Sequence, residues 1–213
     1  MYPNQHIQPT LYHPASTRLT NHDRKLDGSC QCGGIEFTLQ SQTPVPYQLC
    51  ACSICRKVGG YMGAVNLGGI AASLKIHKGE SLIKYVQTRL LIPIPRHQQS
   101  TQPWNFTNLM IDRKYTAVKD RGTPNEERCE SERNFCSNCS TMLWLWDHHW
   151  PELIHPFASA IDTELPVPDE MICIMNGSKP AWARWPEGKK SVFEVYNDDS
   201  LEGWHKRHGK FVE

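Results

Sequence analysis

The stretch "LDGSCQCGGIEFTLQ", residues 26–40, shapes the first expectation about the fold, because it carries two cysteines and then changes to a regular pattern. After two adjacent glycines, apolar and polar side chains alternate from Ile35 to Gln40. A period of two residues is typical of a half-buried strand. We therefore predict a turn followed by a strand that begins near Ile35.

Glycine and proline punctuate the rest of the chain and divide it into further short apolar stretches. The segment 140–148 suits a strand buried on both faces, and 80–87 fits either a strand or one helical turn. No long 3.6-residue period occurs, so we predict a mainly β fold. Further strands are predicted at 61–69, 73–79, 152–162 and 170–178.

The chain of 213 residues is long enough for one sizeable domain. Residues 1–25 are polar and rich in proline and histidine, and we interpret them as a flexible N-terminal arm. The domain is predicted to span 26–213. Within it, residues 88–130 form a long, polar, proline-broken insertion, and connections of this kind are usually functional lids or mobile segments.

Charge and hydropathy exclude several partners. The formal net charge is +1, which offers no strong field for nucleic acid or an anionic membrane. No apolar run approaches the length of a membrane span, and the N-terminus lacks the apolar core of a secretory signal. We expect a cytoplasmic protein with no nucleic-acid or membrane partner, while the oligomeric state stays open.

The nine cysteines separate into clusters by their spacing. Two, Cys129 and Cys173, stand alone. An odd total in close clusters, without an export signal, favours a reducing compartment and metal binding over disulfides. The clustered cysteines are Cys30 and Cys32, then Cys50, Cys52 and Cys55, then Cys136 and Cys139.

The first and last clusters together predict a structural zinc site. Residues i and i+2 of an ideal strand stand nearly 7 Å apart, so Cys30 and Cys32 can reach one ion only if the chain curls, which the following glycines permit. Cys136 and Cys139 have the usual knuckle spacing. Four thiolates close a tetrahedral site, and such a clamp contributes on the order of 10 kcal/mol of metal affinity to folding.

The middle cluster, Cys50, Cys52 and Cys55, predicts a second zinc ion of another kind. Three protein ligands leave one position for water or substrate, which is typical of a catalytic site. Three thiolates with one zinc ion sum to a charge of −1, so the ion generates hydroxide poorly but accepts a soft sulfur ligand. We therefore predict chemistry at a carbon–sulfur bond.

Three alternatives remain open for these cysteines. In the first, Cys50 belongs to the structural site while Cys30 is merely buried, so that only one zinc binds. In the second, Cys52 and Cys55 form a redox pair, although the usual βαβ context is missing. In the third alternative, a nearby side chain closes the middle site and both ions are structural. The candidates for closure are His148, His149, His155, Cys129 and Cys173.

With the clusters placed, the chain resembles the glutathione-dependent formaldehyde-activating enzyme family, which includes centromere protein V-like proteins. The resemblance is carried by "GSCQCGGIEF" (28–37), "CACSICRKVGG" (50–60) and "FCSNCST" (135–141), with weaker matches at 160–168 and 177–182. It implies a β-tent zinc fold and glutathione-linked chemistry, in some members as carbon–sulfur lyases. Carried over by position, the structural ligands are Cys30, Cys32, Cys136 and Cys139, and the catalytic ligands are Cys50, Cys52 and Cys55.

Three departures from the family pattern matter. Ala51 stands where the family often has histidine, and Ser140 stands where glycine usually follows the last structural cysteine. The connection before Phe135 is also longer than in the compact pattern. A large insertion has little to cover over formaldehyde, so we expect a bulkier thiol conjugate, in specialised metabolism or detoxification.

The expected activity is a zinc-dependent carbon–sulfur lyase acting on a glutathione adduct, with glutathione as substrate or co-substrate and two Zn²⁺ ions. The reaction needs a proton-transfer group, which the sequence does not identify. Arg56 and Lys57 either meet the carboxylates of glutathione or form a solvated charge pair. The candidates for proton transfer are His148, His149, His155 and Glu170.

Two other classes of function compete with the lyase. A non-catalytic zinc scaffold or interaction module fits the centromere protein V-like branch, although no basic tract stands out. A zinc hydrolase or hydratase is disfavoured by the electron-rich ligand set. Zinc stoichiometry and the presence of an open coordination position distinguish an enzyme from a scaffold.

Overall fold

A mainly β architecture is present in the computed structural model, which describes residues 24–86 and 117–213. This confirms the predicted fold class at that level. The two described ranges contain two seven-residue helices, α1 (Ser53–Gly59) and α2 (Leu201–Arg207). Their strands are β1 (Lys25–Ser29), β2 (Glu36–Gln40), β3 (Gln48–Cys50), β4 (Ala64–Val65), β5 (Gly69–Ile70), β6 (Lys75–Lys78), β7 (Ile83–Val86), β8 (Ala117–Lys119), β9 (Glu127–Cys129), β10 (Glu132–Cys136), β11 (Met142–Trp146), β12 (Leu153–Pro156), β13 (Met171–Ile174) and β14 (Lys190–Val192).

The strands form three sheets and one separate hairpin within the described ranges. The sheets have the orders β1-β2-β6, β5-β12-β11-β10-β7 and β14-β13-β3-β4, and the hairpin is β8-β9. Strand β13 runs parallel to both β14 and β3, whereas β3 pairs antiparallel with β4. Nearly all of the predicted arm and most of the predicted insertion lie outside the described residues.

The turn predicted at the start of 26–40 is shorter than expected. Residues Lys25–Ser29 form strand β1, which pairs antiparallel with β2 and sets Leu26 opposite Leu39. Gly28 was interpreted as part of a turn, so the sequence pattern did not indicate this strand. A Cβ at Gly28 would lie 2.4 Å from the ring of Phe37 and 2.5 Å from the carbonyl oxygen of Ala160. Glycine is needed there for close packing and not for a turn.

The other predicted strands occur, with shorter bounds. Segment 80–87 contains both predicted forms, since a 3-10 turn at Glu80–Leu82 leads into β7. In β11 the three central residues are all buried, as expected for a strand covered on both faces. Trp144 of β11 meets Phe37 of β2 edge-on, with ring centroids 5.1 Å apart. The five-stranded sheet therefore packs its centre against the three-stranded sheet.

Helix α2 packs against the core through two adjacent side chains. Its Trp204 stacks on Tyr47 with ring centroids 3.7 Å apart and an angle of 4° between the planes. Its His205 is fully buried and accepts the backbone N–H of Val45 at Nε2, 3.1 Å away. Among the described residues, no helix is long and apolar enough to cross a membrane.

Candidate functional site

The four-cysteine group joins two turns that are distant in sequence. One turn connects β1 to β2, and the other connects β10 to β11. The sulfur of Cys32 lies 3.5 Å from that of Cys30 and 3.9 Å from that of Cys136. Two sulfurs bound tetrahedrally to one zinc ion, each at about 2.3 Å, are about 3.8 Å apart. All four sulfurs, those of Cys30, Cys32, Cys136 and Cys139, lie within 4.8 Å of one another.

The backbone of both turns curls around these sulfurs. Gly33 has a φ of +64°, and the N–H of Ile35 donates to Cys30 Sγ at 3.2 Å. At the second turn, Ser140 has a φ of +62° although it is not glycine, and its N–H donates to the carbonyl of Cys136 at 2.8 Å. The turn thus keeps the left-handed conformation that glycine favours, with serine in its place.

Hydrogen bonds favour the thiolate form at the rim of this group. The hydroxyl of Thr141 lies 3.2 Å from Cys139 Sγ, and its hydrogen bond lowers the pKa of Cys139 to about 6. The side chain of Asn138 similarly lowers the pKa of Cys32. Since a thiolate is the form that binds metal, the turns are arranged for a cation.

The three-cysteine group is built where β3 meets α1. Cys50 ends β3, Cys52 is the N-cap residue of α1, and Cys55 lies in the first turn of the helix. Cys52 Sγ accepts the N–H of Cys55 at 3.4 Å, in the place where a serine or aspartate cap would accept. The three sulfurs lie within 4.8 Å of one another, so the structure brings together the predicted cluster.

Charge in this group is centred on Cys52. Hydrogen bonds from the thiols of Cys50 and Cys55, aided by backbone N–H groups, lower the pKa of Cys52 to about 2. The hydrogen bond to Cys52 in turn raises the pKa of Cys50 to about 12, and the pKa of Cys55 is raised for the same kind of reason. A bound metal ion would stabilise the thiolate form of all three sulfurs together.

Two backbone contacts fix the position of this group. The N–H of Ala51 donates to the carbonyl of Ile174 in β13 at 3.1 Å. On the other side, Gly63 has a φ of +128°, and a Cβ there would lie 1.9 Å from the carbonyl oxygen of Cys50. A side chain at Gly63 would push the end of β3 away, so glycine is required.

Arg56 holds α1 in place from the outside. Its guanidinium donates to the carbonyl oxygens of Ala51 and Ser178. Arg56 therefore ties the helix to two loops and is not a free, solvated charge, while Lys57 is exposed. Of the pair that sequence analysis considered for glutathione, only Lys57 extends freely into solvent.

A cavity of about 900 Å³ lies beside α1. Such a volume falls within the range of small-molecule sites. The three cysteines do not line it, but Ser53 and Ile54 of α1 do, between those sulfurs in sequence. Its charged lining is mostly basic and consists of Arg56, Lys57, Arg121 and Arg133, with Asp120 as the acidic member.

The β8–β9 hairpin, which ends the predicted insertion, covers one side of this cavity. At its turn, Asp120 has a φ of +49° and donates its N–H to Ser53 Oγ at 2.7 Å. Ser178 donates its hydroxyl to the carboxylate of Asp120 at 3.1 Å. The described part of the insertion is thus attached to the first turn of α1.

Arg133 is the buried cation of the cavity wall. The residue is 8% exposed, and its Nη1 donates to the hydroxyl of Ser131 at 2.9 Å. Its Nε is buried and finds no hydrogen-bond acceptor in the part of the chain that the structure describes. A buried donor without an acceptor is unfavourable unless another molecule supplies one.

Tyr196 is a neighbour of the three-cysteine group that sequence analysis missed. Desolvation of the hydroxyl first, and then negative charge on Cys50, raise the pKa of Tyr196, although the residue as a whole is 68% exposed. The backbone brings Tyr196 toward the sulfurs although it is far from them in sequence, because the carbonyl of the adjacent Val195 accepts the N–H of Met175 at 2.8 Å and Ile174 pairs with Cys50 in β3. Nothing in the local sequence marks it, since it follows a short strand in an ordinary polar stretch.

The other candidates for closure or proton transfer lie elsewhere, and none joins the three sulfurs among the described residues. His155 donates from Nδ1 to the carbonyl of Leu67 at 3.1 Å, and burial lowers its pKa. Glu170 accepts the hydroxyl of Ser191 at 2.5 Å. Cys173 is buried in β13 opposite Leu49.

Cys129, His148 and His149 also lie outside the three-cysteine group. Cys129 is half-buried in β9. Burial is the largest influence that raises the pKa of its thiol, and negative charge on Cys52 adds a smaller increase. His148 and His149 form a separate group with Glu130. These residues therefore do not supply a fourth ligand to the three-cysteine group in this structure.

Comparison with known proteins agrees with the cysteine pattern. Residues 25–90 match the family model described as "Glutathione-dependent formaldehyde-activating enzyme". A protein of Halomonas elongata named "Putative glutathione-dependent formaldehyde-activating enzyme" is 37% identical over 186 residues, covering 86% of this chain and 96% of that protein. A crystal structure of a Rhodobacter sphaeroides protein aligns with a TM-score of 0.41 and 15% identity, covering 66% of this chain and 91% of the other.

The identity to the Halomonas elongata protein extends over nearly the full length of both chains, well beyond the cysteine clusters. Agreement of this extent, together with the match of residues 25–90, confirms the resemblance. The chain belongs to the glutathione-dependent formaldehyde-activating enzyme family.

Proposed function

We propose that the protein is a zinc-dependent enzyme that makes or breaks a carbon–sulfur bond in a glutathione adduct. The observation that carries this proposal is the group of three sulfurs at Cys50, Cys52 and Cys55, which offers three ligands and not four. Family membership supports glutathione as the thiol. The cavity beside α1 supports a substrate of the size of a tripeptide conjugate.

The residues present fit zinc at both cysteine groups. Sulfur donors select borderline and soft ions such as zinc, and the sulfur spacing at Cys32 suits a tetrahedral ion. We propose two ions, a structural one held by Cys30, Cys32, Cys136 and Cys139 and a catalytic one held by Cys50, Cys52 and Cys55. The whole is then a β-tent zinc fold, with residues 26–213 as one domain.

The zinc on the three-cysteine group would supply an open position for the sulfur of a thiol. In the forming direction, the thiolate sulfur of glutathione attacks the carbonyl carbon of an aldehyde, and the C=O π electrons move to oxygen. That oxygen then takes a proton, which completes the hydroxyalkyl thioether. In the reverse direction, loss of the proton from the hydroxyl expels the thiolate.

Tyr196 is the proposed partner for this proton. A tyrosine hydroxyl has an ordinary pKa of about 10 and is protonated at neutral pH, and desolvation together with negative charge on Cys50 raises the pKa of Tyr196 further. It can therefore donate a hydrogen bond to an oxygen that gains negative charge near the sulfurs. Tyr196→Phe is expected to lower kcat more than it raises KM.

Arg133 is the proposed anchor for a carboxylate of glutathione. It is buried in the cavity wall and its Nε lacks an acceptor among the described residues. A carboxylate is the acceptor that an arginine fork prefers. Arg133→Lys is expected to raise the KM for glutathione about tenfold, because lysine keeps the charge but loses the fork.

The test uses zinc-loaded protein with glutathione and formaldehyde. Exchange between free and adduct carbon, followed by nuclear magnetic resonance, gives the rate above the spontaneous reaction. Larger aldehydes and glutathione conjugates, with detection of released thiol, then establish whether the substrate is bulkier than formaldehyde, as the insertion suggests. Failure of the zinc-loaded protein to accelerate any of these reactions would contradict the proposal.

A non-catalytic zinc scaffold is the second candidate, and one observation favours it. Cys52 and Cys55 are only 7% and 5% exposed, so a substrate must approach past Cys50, which is more open. Cobalt substitution distinguishes the two candidates. A shift of the cobalt spectrum when glutathione is added supports an open position, whereas an unchanged spectrum supports a closed, structural ion.

A further inference from the structure

A third group of side chains, of the types that ligate metals, is separate from both cysteine groups. It consists of Glu130, just after β9, and the adjacent His148 and His149 in the turn after β11. Glu130 Oε2 lies 3.3 Å from His148 Nε2 and 3.9 Å from His149 Nε2. Neither the family match nor the cysteine pattern accounts for this arrangement.

One of the two imidazole rings, that of His149, is oriented by a buried carboxylate. Asp147 is 8% exposed, and its Oδ1 accepts both the backbone N–H of His149, at 3.0 Å, and its ring Nδ1–H, at 2.7 Å. His148 Nδ1 lies 3.7 Å from the same oxygen. In the neutral form of His149, a proton on Nδ1 leaves the lone pair on Nε2, which is the ring nitrogen on the Glu130 side.

This is the arrangement that protein metal sites use. A histidine that binds metal through one ring nitrogen almost always donates the other N–H to a carboxylate or carbonyl, which fixes the ring and raises its basicity. Asp147 has that role here, and the ligand atoms meet on the opposite side of the rings. The rings themselves lie with centroids 4.0 Å apart, so both can approach one point.

Distances and donor types select the class of ion. Two ligands at about 2.0–2.1 Å from one tetrahedral ion stand about 3.3–3.4 Å apart, which matches the distance from Glu130 to His148 and requires a small closure at His149. Two imidazoles and one carboxylate suit zinc, cobalt or nickel, and not calcium or magnesium. The side chains are 57–61% exposed, so water can complete the coordination.

The geometry points to a binding site for a divalent transition-metal ion, held by Glu130, His148 and His149 and oriented by Asp147. Glu130 follows the β8–β9 hairpin, whose turn is bonded to Ser53 at the start of α1. An ion at this site clasps the base of the hairpin to the turn after β11. It therefore restrains the same hairpin that borders the cavity.

The test counts ions on the full-length protein with its cysteine groups already loaded with zinc. Nickel is titrated by calorimetry, and one additional ion per chain is expected. His148→Ala and His149→Ala should each weaken nickel binding at least tenfold, and Glu130→Gln should weaken it less. Asp147→Asn is expected to weaken it about 10–100-fold, although it touches no metal.

The matched control is His77→Ala. His77 is also exposed and bonds Thr38 Oγ1 at 2.9 Å, but it has no part in the group. It should leave nickel binding unchanged. An additional ion that survives in the His148→Ala, His149→Ala double variant, or equal losses in the control and the site variants, would overturn the assignment.

Cobalt gives a second readout that separates this site from the cysteine groups. Cobalt bound by imidazole and carboxylate lacks the strong sulfur-to-metal absorption of thiolate sites. Deuterium uptake over residues 117–130 should fall when the ion binds, and this fall should vanish in the double variant. Two results would contradict the proposed site. One is a sulfur-to-metal absorption band from the additional ion, and the other is a metal-induced fall in deuterium uptake that persists in the double variant.

Discussion

Cys52 serves two purposes at one position, because its sulfur caps α1 and belongs to the three-cysteine group. Serine is among the favoured N-cap residues and accepts the same N–H. A serine at this position therefore removes a metal ligand while it keeps the helix. Cys136 differs, since it is fully buried in the four-cysteine group and has no such substitute.

We expect Cys52→Ser to lower kcat/KM for the glutathione adduct at least 100-fold, about 3 kcal/mol, with little change in Tm. Cys136→Ser should instead lower Tm by about 10 °C, because it opens a site whose metal affinity is coupled to folding. Steady-state kinetics and thermal unfolding measure the two effects. If both variants lose activity and stability alike, the division into catalytic and structural ligands is wrong.

Ser140 carries a backbone cost that its own side chain does not relieve. Its φ of +62° is unfavourable for residues other than glycine. We expect Ser140→Gly to stabilise the protein by about 0.5–1 kcal/mol and to raise Tm by about 2–3 °C.

The control for this prediction is Ser137→Gly in the same turn. Ser137 is exposed, lies outside the left-handed region and donates its N–H to Leu82 at 2.9 Å. Glycine there only adds freedom to the unfolded chain, so it should destabilise. The measurement is the Tm of both variants by thermal unfolding. Equal shifts of Tm in the same direction would contradict the argument from backbone strain.

Among the secondary-structure elements, α2 depends on a buried neutral histidine. His205 Nε2 accepts from Val45 and its Nδ1–H donates to Leu201 at 2.7 Å, which leaves no place for a second proton. Burial lowers the pKa of His205 to about 4. Since the unfolded state, with a pKa near 6.5, then binds more protons, stability is complete above about pH 6.5 and falls as the pH drops toward 4.

Because His205 takes up its proton more readily in the unfolded state, we expect the free energy of unfolding to fall by on the order of 3 kcal/mol between about pH 6.5 and 4. His205→Gln keeps an acceptor for Val45 but cannot titrate, so its stability should depend less on pH in this window. Denaturant unfolding of both proteins at several pH values makes the comparison. An unchanged pH profile in the variant would show that other groups, such as the cysteine sites, account for the acid sensitivity.

In the whole molecule, the four-cysteine group joins segments that are 104 residues apart between Cys32 and Cys136. Closing so long a loop restricts the unfolded chain strongly. The three-cysteine group instead spans one strand end and one helical turn, so its ion ties together little of the fold. The two proposed zinc ions should therefore affect stability unequally.

We expect stepwise treatment with a chelator to remove one zinc ion with loss of activity but retention of β structure, and to unfold the protein only when the second leaves. Zinc release is followed with an indicator, and circular dichroism reports the fold. Release of a single ion in total, or simultaneous loss of both ions and the fold, would contradict the proposal of two separate sites.

Local sequence patterns predicted much of this structure. Alternation marked β2 and β11, because a strand's period of two is set by its own residues, and a terminating glycine helped to mark β6. The two helices were not predicted, since seven residues are too few to show a helical period. Strand β1 was taken for a turn, because Gly28 is explained only by the ring of Phe37 across the pair. The predicted arm, the domain bounds and the full insertion stay predictions.

By itself, the sequence determined the family and the membership of both cysteine groups, because metal-ligand spacing within a turn is a local property. Only the tertiary structure decided which distant side chains surround them. Tyr196 lies near the sulfurs, Arg133 forms part of the cavity wall, and the ring of His149 lies 3.9 Å from the carboxylate of Glu130. These meetings depend on how sheets pack and strands cross, and contacts between residues far apart in the chain leave no periodic signal in it.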